Sequence, residues 1–214
     1  MSPASPRRSS YGGSRGTVIA MSDPAQRLTM SYVEYLAAEE KSDEKHEFWA
    51  GEVYAMAGGS PEHAALSAAI VLELGSALRG KPCRVFSADA RVRVQATGIT
   101  TYPDVTVVCG KLETDPDDLH AIVNPVVLVE VLSDSTEARD RGEKAAHYRH
   151  IPTLKEYVFV SQGPPRIEVY RRNEAGRWEL FEFEAGASVE LASVECSIRV
   201  DDVYRDPLAV ASEG

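Results

Sequence analysis

The chain has 214 residues, of which 43% are hydrophobic and 26% charged, a globular composition that excludes a fibrous or largely disordered protein. Its length suffices for one domain with a sizeable core, and no apolar stretch approaches the roughly 20 residues that span a bilayer. The formal net charge of −10 gives no overall attraction for nucleic acid, so a nucleic-acid enzyme of this composition needs a local basic patch or a metal.

The ends of the chain differ in composition from its middle. Residues 1–26 are rich in Ser, Pro, Gly and Arg and lack periodic apolar positions, so they cannot bury enough apolar surface to fold. We expect residues 1–26 to form a disordered extension, residues 27–206 a single domain, and residues 207–214 a C-terminal tail.

Two helices and a hairpin are predicted first. Residues 29–36 begin with capping residues and continue with helical spacing, which predicts a short helix. Residues 46–57 hold two apolar runs around a glycine, the pattern of a β-hairpin. Ser60 suits an N-cap and Pro61 a first helical position, so a long helix is expected to run from there to about Leu78.

The rest of the chain is predicted to be rich in strands. Residues 84–94 alternate like a half-exposed hairpin, and residues 111–124 are polar enough for a loop. A strand, a helix over residues 136–148 and a further strand imply a βαβ crossover. We predict strands at residues 102–108, 126–132 and 156–160 and a terminal hairpin at residues 167–170 and 178–183.

The three cysteines, Cys83, Cys109 and Cys196, are widely spaced and lie in apolar or strand-like surroundings. This pattern indicates neither a disulfide framework nor a zinc site. A reducing cytoplasm is therefore the expected location.

Two acidic residues, Asp104 and Glu130, lie in the apolar runs at residues 102–108 and 126–132. Burying an ionised carboxylate without a partner costs several kcal/mol, so the sequence should supply a metal or a basic side chain. Lys144 follows in the predicted helix. An aspartate, a glutamate and a lysine together are suited to metal and phosphate chemistry.

These residues resemble those of a known family, the Uma-type restriction endonucleases, a branch of the PD-(D/E)XK nuclease superfamily. The likeness covers roughly residues 28 to 205. It is carried by residues 46–52, residues 61–63, Pro103-Asp104, residues 130–136, Asp140, Lys144, Tyr148 and residues 152–157.

The resemblance implies an α/β (α+β) fold with a restriction-endonuclease-like core, in which helices flank a mixed central β-sheet and additional β-hairpins are attached. It also implies a Mg²⁺ site, with Mn²⁺ as a substitute, formed by Asp104, Glu130 and the backbone carbonyl of Val131. Hard oxygen ligands of this kind suit Mg²⁺.

The chain departs from the superfamily pattern at Leu132, where a lysine is expected two residues after Glu130. By the resemblance, Lys144 takes over this catalytic role from the following helix. Asp140 and Tyr148 lie one turn on either side of Lys144 and share its helix face. Further accessory candidates are Glu47 and His63.

Structural roles remain open for the same residues. Asp104 and Glu130 could be capped by backbone amides or form an ion pair with Lys144, and Lys144 could be a surface lysine paired with Asp140. Glu47 could be a cross-strand charge, and His63 a capping residue.

The favoured function is Mg²⁺-dependent hydrolysis of phosphodiester bonds in DNA by a homodimeric endonuclease. Two alternatives stay open: a catalytically silent member of the fold that binds nucleic acid or protein, and a hydrolase of another phosphate ester. To offset the acidic net charge, we expect some of six arginines to gather at a cleft. These are Arg84, Arg91, Arg93, Arg139, Arg141 and Arg149.

Overall fold

The computed structural model describes residues 29–56, 58–206 and 208. The predicted extension at residues 1–26 and most of the predicted tail lie outside the described residues, so both stay predictions. The predicted mixed α+β class is confirmed, with two mixed six-stranded sheets and few helices. No described helix is long and apolar enough to cross a membrane.

The described strands are, in chain order, β1 (His46–Trp49), β2 (Glu52–Ala55), β3 (Cys83–Ser87), β4 (Arg91–Val94), β5 (Ile99–Thr101), β6 (Val105–Cys109), β7 (Thr114–Asp115), β8 (Asp118–Ile122), β9 (Val127–Leu132), β10 (Glu156–Ser161), β11 (Arg166–Arg172), β12 (Trp178–Glu184), β13 (Ser188–Leu191) and β14 (Cys196–Arg199). The α-helices are α1 (Tyr32–Glu39), α2 (Pro61–Ala77), α3 (Glu137–Arg139), α4 (Ala145–Tyr148) and α5 (Val200–Val203). A π-helical turn, Asp140–Lys144, joins α3 to α4, and we call residues 137–148 together the composite helix.

The first sheet has the order β2-β1-β5-β4-β8-β7, and the second has the order β12-β11-β10-β9-β6-β3. Each contains one parallel pair, β4 with β8 and β9 with β10. The composite helix connects β9 to β10, which gives the predicted βαβ crossover. All six residues of β9 are buried, as its continuous apolar run predicts for a central strand.

Helix α2 packs on the second sheet. The Ser60 side chain accepts a hydrogen bond from the His63 amide, and Pro61 occupies the first turn. The buried stripe of Leu66, Ile70 and Leu74 joins the core formed with the inner strands of the second sheet. This packing holds the start of α2, and with it His63, beside the central strands.

A second core holds buried side chains from both sheets and from the composite helix. Trp49 and Val92 come from the first sheet, Leu128 and Phe159 from the second, and Tyr148 from the composite helix. The composite helix is thereby fixed against strands of both sheets.

Two strand predictions are wrong. The predicted hairpin at residues 84–94 does not form, because β3 pairs with β6 in the second sheet while β4 pairs with β5 in the first. The predicted loop at residues 111–124 contains β7 and β8. Its polar residues include Asp115 and Asp118, which are buried because they form ion pairs with arginines of β4.

The cysteine prediction is also wrong, because Cys83 and Cys109 form a disulfide. Antiparallel pairing of β3 with β6 places these two residues directly opposite each other. Their 26-residue separation conceals this proximity in the sequence. The argument from the cysteines for a reducing cytoplasm is therefore removed.

The α2 packing predicts different effects for two leucines of that helix. Leu74 is fully buried and Leu72 is 63% exposed. Leu74→Ala should lower the free energy of unfolding by about 2–5 kcal/mol, since it leaves a cavity in the core. Leu72→Ala is the matched control and should change it by less than about 0.5 kcal/mol. Urea denaturation followed by circular dichroism measures both, and equal losses would contradict this packing.

Candidate active site

A cleft brings together side chains from five parts of the fold: the β1–β2 hairpin, the start of α2, the residues just before β6, the β9 strand and the composite helix. The chemistry-bearing residues that line it are Glu47, His63, Asp104, Glu130, Asp140 and Lys144. Six of the seven side chains singled out in the sequence therefore meet at one cleft. The seventh, Tyr148, lies directly behind it and is fully buried.

Lys144 is the centre of this arrangement. Its ammonium lies 3.2 Å from Glu47, 3.2 Å from Glu130 and 3.1 Å from Asp140. The side chain is 9% exposed, so the alternative of a surface lysine is excluded. Burial lowers the pKa of Lys144, but the surrounding carboxylates more than offset this and hold the pKa well above its ordinary value.

The wide turn of the composite helix helps to bring these groups together. Asp140 and Lys144 are the first and last residues of the π-helical turn, and both are buried. Such turns occur often at functional sites. The sequence predicts that Asp140, Lys144 and Tyr148 share a helix face. Asp140 and Lys144 line the cleft and Tyr148 lies directly behind it, in agreement with that prediction.

Glu130 lies on the central strand β9 and is almost completely buried. Its Oε1 accepts hydrogen bonds from the Lys144 ammonium at 3.2 Å and the Tyr148 hydroxyl at 3.2 Å. Burial raises the pKa of Glu130 well above its ordinary value, Lys144 opposes the rise, and Asp140, Asp104 and Glu47 add to it. The site therefore holds more negative charge than its own cations balance.

Asp104 immediately precedes β6 and uses one carboxylate oxygen for two contacts. Its Oδ2 accepts a hydrogen bond from the Val131 amide at 2.8 Å and lies 3.2 Å from Nε2 of His63. Both contacts fall on Oδ2, and within the described residues Oδ1 takes part in no hydrogen bond. The sequence left open that a backbone amide caps Asp104, and the Val131 amide does so.

His63 contacts two of the predicted metal-binding groups at once. The hydrogen bond to Asp104 raises the pKa of His63, burial lowers it, and the Asp104 charge and a bond to the Val131 backbone raise it further. The sequence left His63 between a capping and a cleft role. The structure places its ring in the cleft, while the cap of α2 is Ser60.

Gly59 permits this position of His63, and the sequence analysis missed it. A Cβ built on Gly59 would lie 2.7 Å from the His63 Nδ1 and 2.9 Å from its Cγ, closer than real contacts. A Cβ built on the neighbouring Gly58 would have no atom within 4 Å. The only signal in the sequence is the Gly-Gly pair just before the N-cap of α2.

Gln162 is a second residue that the sequence did not reveal. Its side chain accepts a hydrogen bond from Ser60 at 2.8 Å and donates one to the Leu132 carbonyl at 2.8 Å. It thus joins the end of β9 to the N-cap of α2, next to Asp104 and His63. No local pattern in the sequence marks this long-range contact.

The predicted arginine cluster is largely wrong. Of the six arginines, only Arg139 lines the cleft in the described part of the chain. Arg91 and Arg93 pair with acidic residues of β8 and β7, and Arg141 pairs with Glu168, because each satisfies a buried carboxylate in its own part of the fold. Arg166, which the sequence did not single out, lines the cleft as well.

The donor set fits a divalent cation. Within residues 29–56, 58–206 and 208, no three His, Cys, Asp or Glu side chains are already arranged to hold a metal. Mg²⁺ does not require such a cage, because it commonly uses one or two carboxylates and keeps several waters. The unbalanced carboxylates around Glu130, together with its raised pKa, are what a site for an added cation should show.

Comparison with known proteins defines the class. The fold is similar to the crystal structure of a protein from Anabaena variabilis described as "a putative nuclease belonging to DUF820", with a TM-score of 0.66 and 17% identity, covering 80% of this chain and 96% of that one. At this identity the likeness shows the fold. The chain therefore belongs to the class of mixed α+β proteins that share this fold.

The family follows from the sequence match. Residues 32–201 match the model of the Uma2 family, described as "Putative restriction endonuclease", and the chain belongs to this family. It is 38% identical over 191 residues to the uncharacterized protein slr1290 of Synechocystis sp., covering 88% of this chain and 98% of the relative. A second Synechocystis protein, sll1609, is 33% identical over 157 residues, covering 72% and 86%.

Asp104 controls the predicted titration of His63. The hydrogen bond raises the folded-state pKa of His63, so this contact stabilises the fold below about pH 6.5, the unfolded value, and the stabilisation is lost as the pH rises through the folded pKa. Asp104→Asn should lower the pKa of His63, as NMR titration of the imidazole signals in EDTA would show. An unchanged His63 titration would contradict the contact.

Gly59→Ala should displace the His63 ring, because the added methyl would overlap it. The His63 contact with Asp104 would lengthen, and the pKa of His63 would move back towards its ordinary value. Gly58→Ala adds the same methyl group where no atom lies within 4 Å and is the matched control. NMR titration of both variants distinguishes them, and identical His63 curves would disprove the proposed close approach.

Proposed function

We propose that the protein is a Mg²⁺-dependent endonuclease that hydrolyses phosphodiester bonds in DNA. The observation that carries this proposal is the convergence of Glu47, Glu130 and Asp140 on the single buried ammonium of Lys144. Asp104 lies beside them in the same cleft. Membership of the family described as "Putative restriction endonuclease" supports this chemical class for the site.

Under this proposal Asp104 and Glu130 hold Mg²⁺, with the Val131 carbonyl as a further oxygen ligand. When bound, the ion supplies positive charge to phosphoryl oxygens and lowers the pKa of a water. Mn²⁺, which accepts the same oxygen ligands, is expected to substitute.

The side chains around these ligands have separate tasks. Lys144 keeps Glu130 in place and provides a fixed positive charge for the reacting phosphate. Tyr148 donates to Glu130 from behind and fixes the orientation of its carboxylate. Glu47 and Asp140 hold the Lys144 ammonium, and His63 fixes Asp104 through Oδ2. A site held this tightly needs little reorganisation during the reaction.

The proposal includes a homodimer, because a two-fold dimer would present one site to each strand of a duplex. It also includes a cytoplasmic location, where DNA is the available substrate. The homodimer rests on the family resemblance. The cytoplasmic location rests on the proposed DNA substrate alone, since the disulfide removes the argument from the cysteines.

One observation favours a catalytically silent relative as the second candidate. Leu132 occupies the superfamily lysine position, and the ammonium of Lys144 already contacts three carboxylates. A lysine held in this way can be structural. Such a protein would bind Mg²⁺ without hydrolysing DNA.

Removal of either proposed ligand tests the main proposal. Asp104→Ala and Glu130→Ala should each lower cleavage of plasmid and single-stranded DNA in Mg²⁺ by about 100-fold or more, since each removes a proposed ligand of the ion that would supply positive charge to the reacting phosphate. Asp117→Asn, which changes an exposed acidic residue in the turn between β7 and β8, is the control for lost negative charge and should cleave normally.

Circular dichroism would verify that the variants fold. Wild-type rates in both ligand variants would refute the assignment of the site. Mg²⁺ binding by calorimetry without cleavage of either DNA by the wild-type protein would favour the silent relative.

A further inference from the structure

Several arginines in the described part of the chain have donors occupied by carboxylates. Arg91 is bonded to Asp118, Arg141 forms two bonds to Glu168, and Arg171 is bonded to Glu156. These guanidinium groups are used to neutralise buried acids. They are therefore poorly suited to bind a ligand.

Arg139 differs from them. Its closest carboxylate oxygens, on Glu143 and Glu47, are 3.7 and 3.8 Å away, too far for hydrogen bonds. Within the described residues, the Arg139 guanidinium donates no hydrogen bond. Its side chain lines the cleft and is 30% exposed, so its N–H groups are accessible from the cleft.

Two aromatic rings hold the guanidinium in place. The Arg139 Cζ lies 4.1 Å from the centre of the Trp49 ring and 4.4 Å from that of Tyr54. Trp49 is itself fixed, because its indole N–H donates to Glu47 at 3.1 Å. Stacking engages the faces of a guanidinium and leaves the N–H groups at its edge for a planar, two-point contact with phosphate.

The position of Arg139 relates it to the proposed reaction. Glu47 lies between Arg139 and Lys144: its Oε1 faces the lysine at 3.2 Å and its Oε2 faces the arginine at 3.8 Å. Arg166 also lines the cleft, but it is bonded to Glu168 at 3.0 Å. Arg139 is thus the cleft arginine whose donors are not already engaged by an acid within the described residues.

We propose that Arg139, held between Trp49 and Tyr54, binds a phosphate group of the substrate next to the phosphate that reacts. The assignment rests on the proposed function in taking the substrate to be a nucleic acid. It adds a substrate-binding residue outside the metal-binding carboxylates. It also accounts for how an acidic cleft attracts a polyanion.

Binding of labelled DNA tests this assignment without requiring cleavage. Fluorescence anisotropy would follow a short duplex in Ca²⁺, used in place of Mg²⁺ to suppress hydrolysis, over a series of NaCl concentrations. The proteins compared are the wild type, Arg139→Gln, Arg139→Lys and Arg149→Gln. Arg149 is exposed just after the composite helix and does not line the cleft, so its variant controls for loss of one positive charge.

Arg139→Gln should weaken binding about tenfold or more, the usual effect of losing a hydrogen bond to a charged group. The slope of log K against log salt should become shallower by about 0.9, the value for one lost phosphate contact on duplex DNA. Arg149→Gln should keep the wild-type affinity and slope. Arg139→Lys should keep the slope but bind several-fold more weakly, since it retains the charge without the planar donor edge.

The outcomes separate this assignment from the proposed function. Binding that depends on Arg139, without cleavage in Mg²⁺, would support the assignment and overturn the hydrolysis. Cleavage with unchanged binding by Arg139→Gln would overturn the assignment and leave the hydrolysis standing. Three other results would each overturn the assignment of Arg139. These are equal losses of affinity in Arg139→Gln and Arg149→Gln, wild-type affinity in Arg139→Lys, and no DNA binding by the wild-type protein.

Discussion

The buried ammonium of Lys144 is the interaction on which the arrangement of the site depends. It connects Glu47 on β1 with Glu130 on β9, and so joins a strand of each sheet to the composite helix. A charge buried this deeply is tolerated only with close partners, and loss of one member of such a group typically costs about 3–5 kcal/mol. The relative position of the two sheets and the shape of the cleft are therefore coupled to one side chain.

The same cluster bears on the proposed cation. Three carboxylates around one lysine leave an excess of negative charge, and Asp104 increases it. The protein meets part of this cost by keeping the pKa of Glu130 high, which favours the neutral form in the absence of further positive charge. A bound divalent cation would stabilise the ionised carboxylate of Glu130 and so oppose the rise in its pKa. Affinity for the cation and the protonation of Glu130 are thus expected to oppose each other.

Local sequence patterns singled out residues that the structure brings together at one cleft, because buried strands and helix faces are encoded by nearby positions. Asp104, Glu130 and Lys144 could be found this way. The patterns failed where partners are distant in the chain: the register that pairs Cys83 with Cys109, and the buried aspartates that turn a polar loop into β7 and β8. Contacts of Gly59 and Gln162 with the site also arise only in three dimensions.

The negative net charge of the chain argues against nucleic-acid binding. The structure changes this objection but does not remove it. Buried acids engage three of the six arginines expected to form a basic patch, namely Arg91, Arg93 and Arg141, and of the six only Arg139 lines the cleft in the described part of the chain. Within the described residues, attraction of the cleft for a phosphate chain would then come mainly from the proposed cation and from the Arg139 guanidinium. Because like charges repel strongly at low dielectric, binding of substrate and binding of cation should each strengthen the other. An acidic protein can in this way hold a polyanion only when its cation is present.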